Sequence, residues 1–265
     1  MLTYLAPGIL PDADALARGA EINDQGHGFA IVVGDRILVR KDHDPARLIA
    51  TFATARARHP EGPALFHSRL ATHGSLSKAN MHPFRVGNDS RTVVAHNGIL
   101  PHSVHPGPGD RRSDTRVFAD ERLGNKPFAN YDDPTSRARL EAWLGPFNKV
   151  AVLTVNRRYA EQAYVFNENR GFYDNGVWYS NTDFTSREEN LLELWADWRA
   201  CPTCNASEAD VETGLCEVCG SCVECGESEK DCSRWCARRY LVEVCPGCRE
   251  VDRYCVCVEA MSPTG

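Results

Sequence analysis

All twelve cysteines of this chain lie between Cys201 and Cys257, and the first 200 residues contain none. A segment that short has little apolar core of its own, so something else must order it. The spacings name the device: Cys201-x2-Cys204, Cys216-x2-Cys219, Cys222-x2-Cys225, Cys232-x3-Cys236, Cys245-x2-Cys248 and Cys255-x-Cys257. A tight turn between paired cysteines lets both thiolates reach one ion at about 2.3 Å, and two pairs complete a tetrahedron. Twelve thiolates therefore divide into three expected zinc sites. Sequential pairing is simplest: 201/204 with 216/219, 222/225 with 232/236, and 245/248 with 255/257. A cross-braced arrangement of the last two sets stays open. Full thiolate sets leave no open coordination position, so the zinc is expected to be structural, each site contributing on the order of 10 kcal/mol of apparent binding energy. Gly220 and Gly226 follow two of the turns, where a positive φ suits glycine. Such a scaffold is expected to dock a protein partner, with Trp235, Tyr240 and Tyr254 as interface or packing aromatics.

Charge is divided unevenly between the two regions. Residues 201–265 carry 12 acidic and 6 basic side chains, whereas the first 200 carry 24 of each. Zinc-thiolate sites would add further negative charge, at about −2 per four-cysteine site. A module so acidic is a poor match for phosphate backbones, which argues against nucleic-acid binding despite Arg234, Arg238 and Arg239. No apolar run approaches a membrane span. The opening Met-Leu-Thr-Tyr-Leu-Ala-Pro-Gly lacks a basic flank and is broken by Pro7 and Gly8, unlike a signal peptide. A cytoplasmic protein is the default expectation, and there paired cysteines hold metal rather than form disulfides.

The first 200 residues read as mixed α and β. Residues 2–6 predict a short strand, and Pro11–Glu21 a helix opened by Asp12 or Asp14. Phe29–Val33 and Arg36–Val39 predict two strands joined at Gly34-Asp35. Asp44-Pro45 starts a helix whose apolar face is Leu48, Ile49, Phe52 and Ala53, and His59-Pro60 ends it. Strands follow at Ala64–Leu70 and Thr92–Ala95 with a polar, His-rich loop between them. Ser113–Leu123 and Ser136–Leu144 predict helices, and Val150–Val155, Ala163–Asn167 and Val177–Ser180 strands. Ser186–Ala200 predicts a closing helix. Helices in pairs with hairpin-linked strands favour a sheet-containing sandwich.

The stretch His67 to Leu100 gathers the polar chemistry. Two strand ends deliver Arg69, Thr72, His73, His82, His96 and Asn97 to a common rim. An Asn amide and a Gly N–H at a strand exit, here Asn97 and Gly98, could both point at one oxygen, as in an oxyanion hole. Each piece alone has a plainer reading: Asn-Gly as a turn, Arg69 as a surface ion-pair partner, Asp114 as a carboxylate at a helix start. Six histidines between 67 and 105 could instead suggest a metal site, although no HxxxH or HExxH pattern supports one. His67, His102 and His105 receive no role.

Taken in order, Arg69-x-Ala-Thr-His-Gly, Asn80-x-His82-Pro and His96-Asn97-Gly98 resemble the class II glutamine amidotransferases, which belong to the N-terminal-nucleophile hydrolases. Asn23-Asp24-Gln25-Gly26-His27-Gly28-Phe29 upstream and Ser113-Asp114-Thr115 downstream extend the match over roughly residues 1–185. The resemblance implies an α+β fold, the four-layer αββα sandwich, followed by a small zinc-ribbon-like module. It implies that Arg69 binds the α-carboxylate of glutamine and Asp114 its α-ammonium. Thr72 and His73 would line the pocket with His82 nearby, and Asn97 and Gly98 would stabilise the oxyanion. Gly26 and Gly28 would allow close approach beside the chain start.

The family pattern places a cysteine directly after the initiator methionine, where its thiol attacks the amide and its own α-amino group takes the proton. Here position 2 is leucine, and the nearest hydroxyl is Thr3. Two readings are open. The chain as written may start a residue or two short of a Met-Cys, the reading favoured by an otherwise intact pocket. Alternatively the domain binds glutamine or a partner without hydrolysing anything. The expected organisation is a glutamine amidotransferase type 2-like domain at 1–185, a closing helix at 186–200, a zinc module at 201–258 and a tail at 259–265. The expected activity is release of ammonia from glutamine to an unknown acceptor; the alternative is an inactive adaptor.

Overall fold

The computed structural model describes residues 1–70, 75–185, 215–216, 220–222 and 228. The chain divides into two units, Met1–Arg187 and Glu188–Gly265. Along the first run β1 (Leu2–Leu5), α1 (Ala13–Ile22), β2 (His27–Val33), β3 (Arg36–Asp42), α2 (Pro45–Arg58), β4 (Ala64–Ser68), β5 (Phe84–Val86), β6 (Asp89–Asn97), α3 (Asp114–Glu121), α4 (Pro134–Leu144), β7 (Lys149–Thr154), β8 (Ala163–Phe166), β9 (Phe172–Asp174) and β10 (Val177–Tyr179). It is a mixed α and β structure on two antiparallel sheets, ordered β3-β2-β4-β1-β10-β9 and β5-β6-β7-β8.

Local chemistry sets the element ends. The Asp12 carboxylate accepts from the Asp14 and Ala15 amides at 2.9 and 3.0 Å, which settles the start of α1. Asp44 caps α2 by accepting from the Arg47 amide at 3.0 Å, with Pro45 in the first turn. Asp133-Pro134 repeats the device for α4, two residues ahead of the expected Ser136. Gly34, at φ 58°, closes the β2–β3 hairpin in a conformation other residues resist. Strand β5 falls inside the expected polar loop, and β9 was also not anticipated. Each is three residues long and is held by a neighbouring strand rather than by its own pattern. The expected helix at 186–200 lies outside the described residues.

Alternation along the strands builds three separate apolar clusters. Phe29 and Ile31 of β2, with Ala64 and Phe66 of β4, pack with Leu16 of α1 and Phe52 of α2. Val150 and Val152 of β7 and Val94 of β6 pack with Phe118 of α3 and Leu140 of α4. The residues in between (Ala30, Val32, Leu65, Val93, Ala95, Ala151 and Leu153) form a third cluster to which both sheets contribute. Strand β2 is thus buried along nearly its whole length, which is why its sequence reads as an unbroken apolar run.

Arg56 is the exception inside this apolar packing, a fully buried cation on α2. Its guanidinium donates to the carbonyls of Ala6 at 2.7 Å, Ile9 at 2.9 Å, His59 at 3.0 Å and Gly62. It satisfies backbone oxygens of two loops at once, and burial lowers its pKa from the usual arginine value. Substituting Arg56→Leu removes the donors but leaves the carbonyls. We expect a loss of about 3 kcal/mol or more in urea unfolding; a loss under about 1 kcal/mol would show that water replaces the guanidinium without penalty.

Candidate active site

A cavity of about 340 Å³ opens where β1 and β4 begin and end, β6 exits its sheet and α3 starts. Met1 heads β1 on its wall. The Met1 α-amine donates to the Ser68 carbonyl at 2.8 Å, and the Ser68 amide donates back to the Met1 carbonyl at 2.9 Å. The Leu2 amide donates to Ser180 Oγ at 2.8 Å. Burial pushes the α-ammonium down to about 5, against an opposing pull from the Asp183 carboxylate. The Met1 thioether turns onto α1, where a Cβ at Gly19 would lie 2.1 Å from its Cε.

Five of the expected site residues line this one cavity: Arg69, His82, Asn97, Gly98 and Asp114. Thr72 and His73 lie outside the described residues. Arg69 continues the chain beyond β4 and is 3% exposed. Its Nη1 donates to the Ser75 carbonyl at 3.1 Å, and its amide to the Gly26 carbonyl at 2.9 Å. Burial lowers its pKa, with the Asp114 charge acting the other way. Asp114 opens α3 and is 4% exposed. One carboxylate oxygen accepts from the Leu100 amide at 3.1 Å; the other accepts from the Thr115 amide at 2.7 Å.

Asn80 joins these two charged residues, a role the sequence motif did not reveal. Its Nδ2 donates to the Ser75 carbonyl at 3.1 Å, the oxygen that Arg69 also holds. The same amide donates to the Arg111 carbonyl at 2.7 Å, and its Oδ1 accepts from the Ser113 amide at 3.0 Å. Glycines bring that segment close. A Cβ at Gly28 would lie 1.9 Å from the His82 carbonyl oxygen, and one at Gly26 2.6 Å from the Met81 side chain. The close approach at these glycines is made by Met81-His82.

Three buried histidines form the floor. His67 was assigned no role, yet its Nε2 donates to the His96 carbonyl at 2.9 Å and so bridges β4 of one sheet to β6 of the other. His67 and His82 lie with ring centroids 3.9 Å apart. His67 Nδ1 and both nitrogens of His82 are buried without hydrogen-bond partners among the described residues. His96 contacts Thr115 Oγ1 at 2.9 Å and Asn148 Oδ1 at 2.8 Å. Since Asn148 Nδ2 donates to the Leu144 carbonyl, its Oδ1 accepts, and His96 carries its proton on Nε2. Burial lowers the pKa of all three, most strongly for His67 and His82. The expected alternative of a histidine metal site finds no support in the grouping: among the described residues no three His, Cys, Asp or Glu are arranged to hold an ion.

Gly98 sits at φ +127°, and a Cβ there would lie 2.4 Å from Asn148 Oδ1. Only glycine fits at this exit, where half-buried Asn97 and exposed Gly98 both line the cavity. Sequence reading missed Asn181 and Asp183 on the same wall. Asp183 Oδ2 accepts from Asn23 Nδ2 at 2.8 Å and Asn181 Nδ2 at 2.9 Å. No motif marks them; the pairing of β10 with β1 brings them there. A buried guanidinium, a tethered carboxylate and an amide-bearing turn around one opening can hold a zwitterionic α-amino acid.

In the second unit, Leu215 bridges Cys222 in antiparallel register and Ser221 bridges Ser228. Gly220 adopts φ +69°, the positive value expected after a cysteine pair, and its N–H donates to the Cys216 carbonyl at 2.8 Å. Cys216 and Cys222 are 2% and 0% exposed. The other ten cysteines lie outside the described residues.

Among the described residues no helix is long and apolar enough to cross a membrane. No family model matches the chain, and no curated protein matches it. Among solved structures it is similar to the glutamine phosphoribosylpyrophosphate (PRPP) amidotransferase from B. subtilis complexed with ADP and GMP, at 19% identity and a TM-score of 0.37. That likeness covers 58% of this chain and 35% of the other, so this chain spans about a third of the enzyme's length.

Two predictions follow from the geometry. Bases whose folded pKa lies below the unfolded value bind fewer protons when folded, so stability falls as pH drops through that window. For the three histidines the window lies below 6.5, and for the Met1 amine between 8 and about 5. The urea midpoint should therefore fall steadily from pH 8 to pH 5; a flat profile would mean that these groups titrate normally. Gly98→Ala should cost about 1–3 kcal/mol from backbone strain and displace the Asn97 turn. Unfolding curves and Asn97 side-chain amide shifts report the two effects, and an unchanged stability would refute the constraint.

Proposed function

We propose that the cavity binds glutamine in the manner of a class II glutamine amidotransferase, within a four-layer αββα sandwich. The three separate apolar clusters support that layering: one beneath each helix pair and one contributed by both sheets. The observation that carries the function is the buried pair Arg69 and Asp114 on the same cavity as Asn97-Gly98. The Arg69 guanidinium takes the α-carboxylate as a planar two-pronged donor, and Asp114 takes the α-ammonium. The side-chain amide then extends toward Met1, where the Asn97 amide and Gly98 N–H meet the oxygen that becomes negative when the carbonyl is attacked. The resemblance assigns Thr72 and His73, outside the described residues, to the pocket as well, and His82 supplies a neutral part of its lining.

Hydrolysis to glutamate and ammonia requires a nucleophile at the head of β1. A thiol there, with its own α-amine as base, would fit the depressed pKa of a buried amine. Methionine carries a thioether with no proton to give. With a cysteine at that place the domain hydrolyses glutamine; the alternative is a domain that holds glutamine without cleaving it and acts as an adaptor.

The C-terminal cysteines are proposed to hold three structural zinc ions and to present a docking surface to a protein partner, without nucleic acid. Buried Cys216 and Cys222 beside a positive-φ glycine fit thiolate ligands in a segment with little apolar core. Elemental analysis of the purified chain should give about three zinc per chain, and a value near zero would remove this part of the reading.

Calorimetry with L-glutamine tests the pocket. Arg69→Ala should weaken binding by about ten-fold to a hundred-fold, the cost of a lost charged hydrogen bond, while L-asparagine binds more weakly to the parent. An Arg69→Ala protein that binds glutamine as well as the parent would refute the assignment. Ammonia release, or covalent labelling by a glutamine-mimicking electrophile, separates the enzyme from the adaptor.

A further inference from the structure

We infer that Cys216 and Cys222 serve different metal ions, held on opposite faces of one small β-ribbon. The inference rests on the proposed zinc reading and narrows it. Leu215 and Cys222 face each other in antiparallel register, and the adjoining Cys216 amide donates to the Ser221 carbonyl at 2.8 Å. That hydrogen bond flanks the Leu215–Cys222 pair, which makes it the closely spaced, non-hydrogen-bonded kind, with both side chains on one face. The packing agrees: fully buried Cys222 lies against Leu215.

Successive side chains on a strand leave opposite faces. Leu215 and Cys216 are neighbours, so Cys216 projects from the face opposite Cys222. Gly220 reverses the chain through its N–H bond to the Cys216 carbonyl, and Ser221 goes on to bridge Ser228. The strand carrying Cys222 thus has a partner on each side, which fixes its faces. Two thiolates bound to one zinc at about 2.3 Å must bring their sulfurs within roughly 4 Å of each other. Side chains leaving opposite faces of a ribbon diverge instead. On this geometry Cys216 and Cys222 do not share one ion, which agrees with the sequential pairing as the simplest arrangement.

The test uses the full chain with its metal exchanged for cadmium-113. In a proton–cadmium correlation spectrum, the β-protons of Cys216 and Cys222 should couple to two different cadmium resonances, with no substitution needed. Cys216→His and Cys222→His should each shift a different cadmium signal upfield, because nitrogen replaces one sulfur. Coupling of both cysteines to one resonance would overturn the inference and leave the metal reading in place. A chain that binds neither zinc nor cadmium would overturn both.

Discussion

The two-residue period of the β-strand is the constraint on which this molecule depends. Strand β4 sends Ala64 and Phe66 toward the helices of its own layer and Leu65 toward the second sheet. The same alternation carries His67 to the inner side, where it reaches across and donates to the His96 carbonyl. On β6, Val94 faces α3 while Val93 and Ala95 face inward. The cavity forms where this apolar alternation runs out at the strand ends. Polar residues there inherit positions that the core has already fixed.

A polar framework then holds the charged groups. Ser75, Asn80 and Ser113 connect Arg69 to Asp114 through hydrogen bonds of about 3 Å. Keeping the nearby histidines neutral avoids placing further cations beside the guanidinium, where each would cost energy in a poorly solvated site. Arg56 stands apart from that logic. Its four carbonyl partners spread its charge over two loops.

Much of this was legible in the sequence because local chemistry decided it. Asp44-Pro45 and Gly34 mark their boundaries, and the apolar run at Phe29–Val33 ahead of Gly34-Asp35 reads as a hairpin strand. The grouping of Arg69, His82, Asn97 and Asp114 was legible from ordered motifs. What stayed hidden depends on partners distant in sequence. Three-residue β5 and β9 exist because β6 and β10 pair with them. Asp183 reaches the cavity through the β1–β10 pairing, and Asn80 matters for what it ties together rather than for its own exposure. Gly28 is required by a carbonyl 54 positions later in the chain, on His82.

Between the two sheets the inward side chains include Ala30, Ala95 and Ala151. Ala95 and Ala151 are paired neighbours in one sheet and Ala30 belongs to the other, and longer branches at these positions would overpack the cluster they share. Arg69 lies just beyond β4 of one sheet and Asn97 at the end of β6 of the other, so the packing of this cluster bears on how far apart they stand. The width of the cavity is thus written partly in three small residues that do not line it.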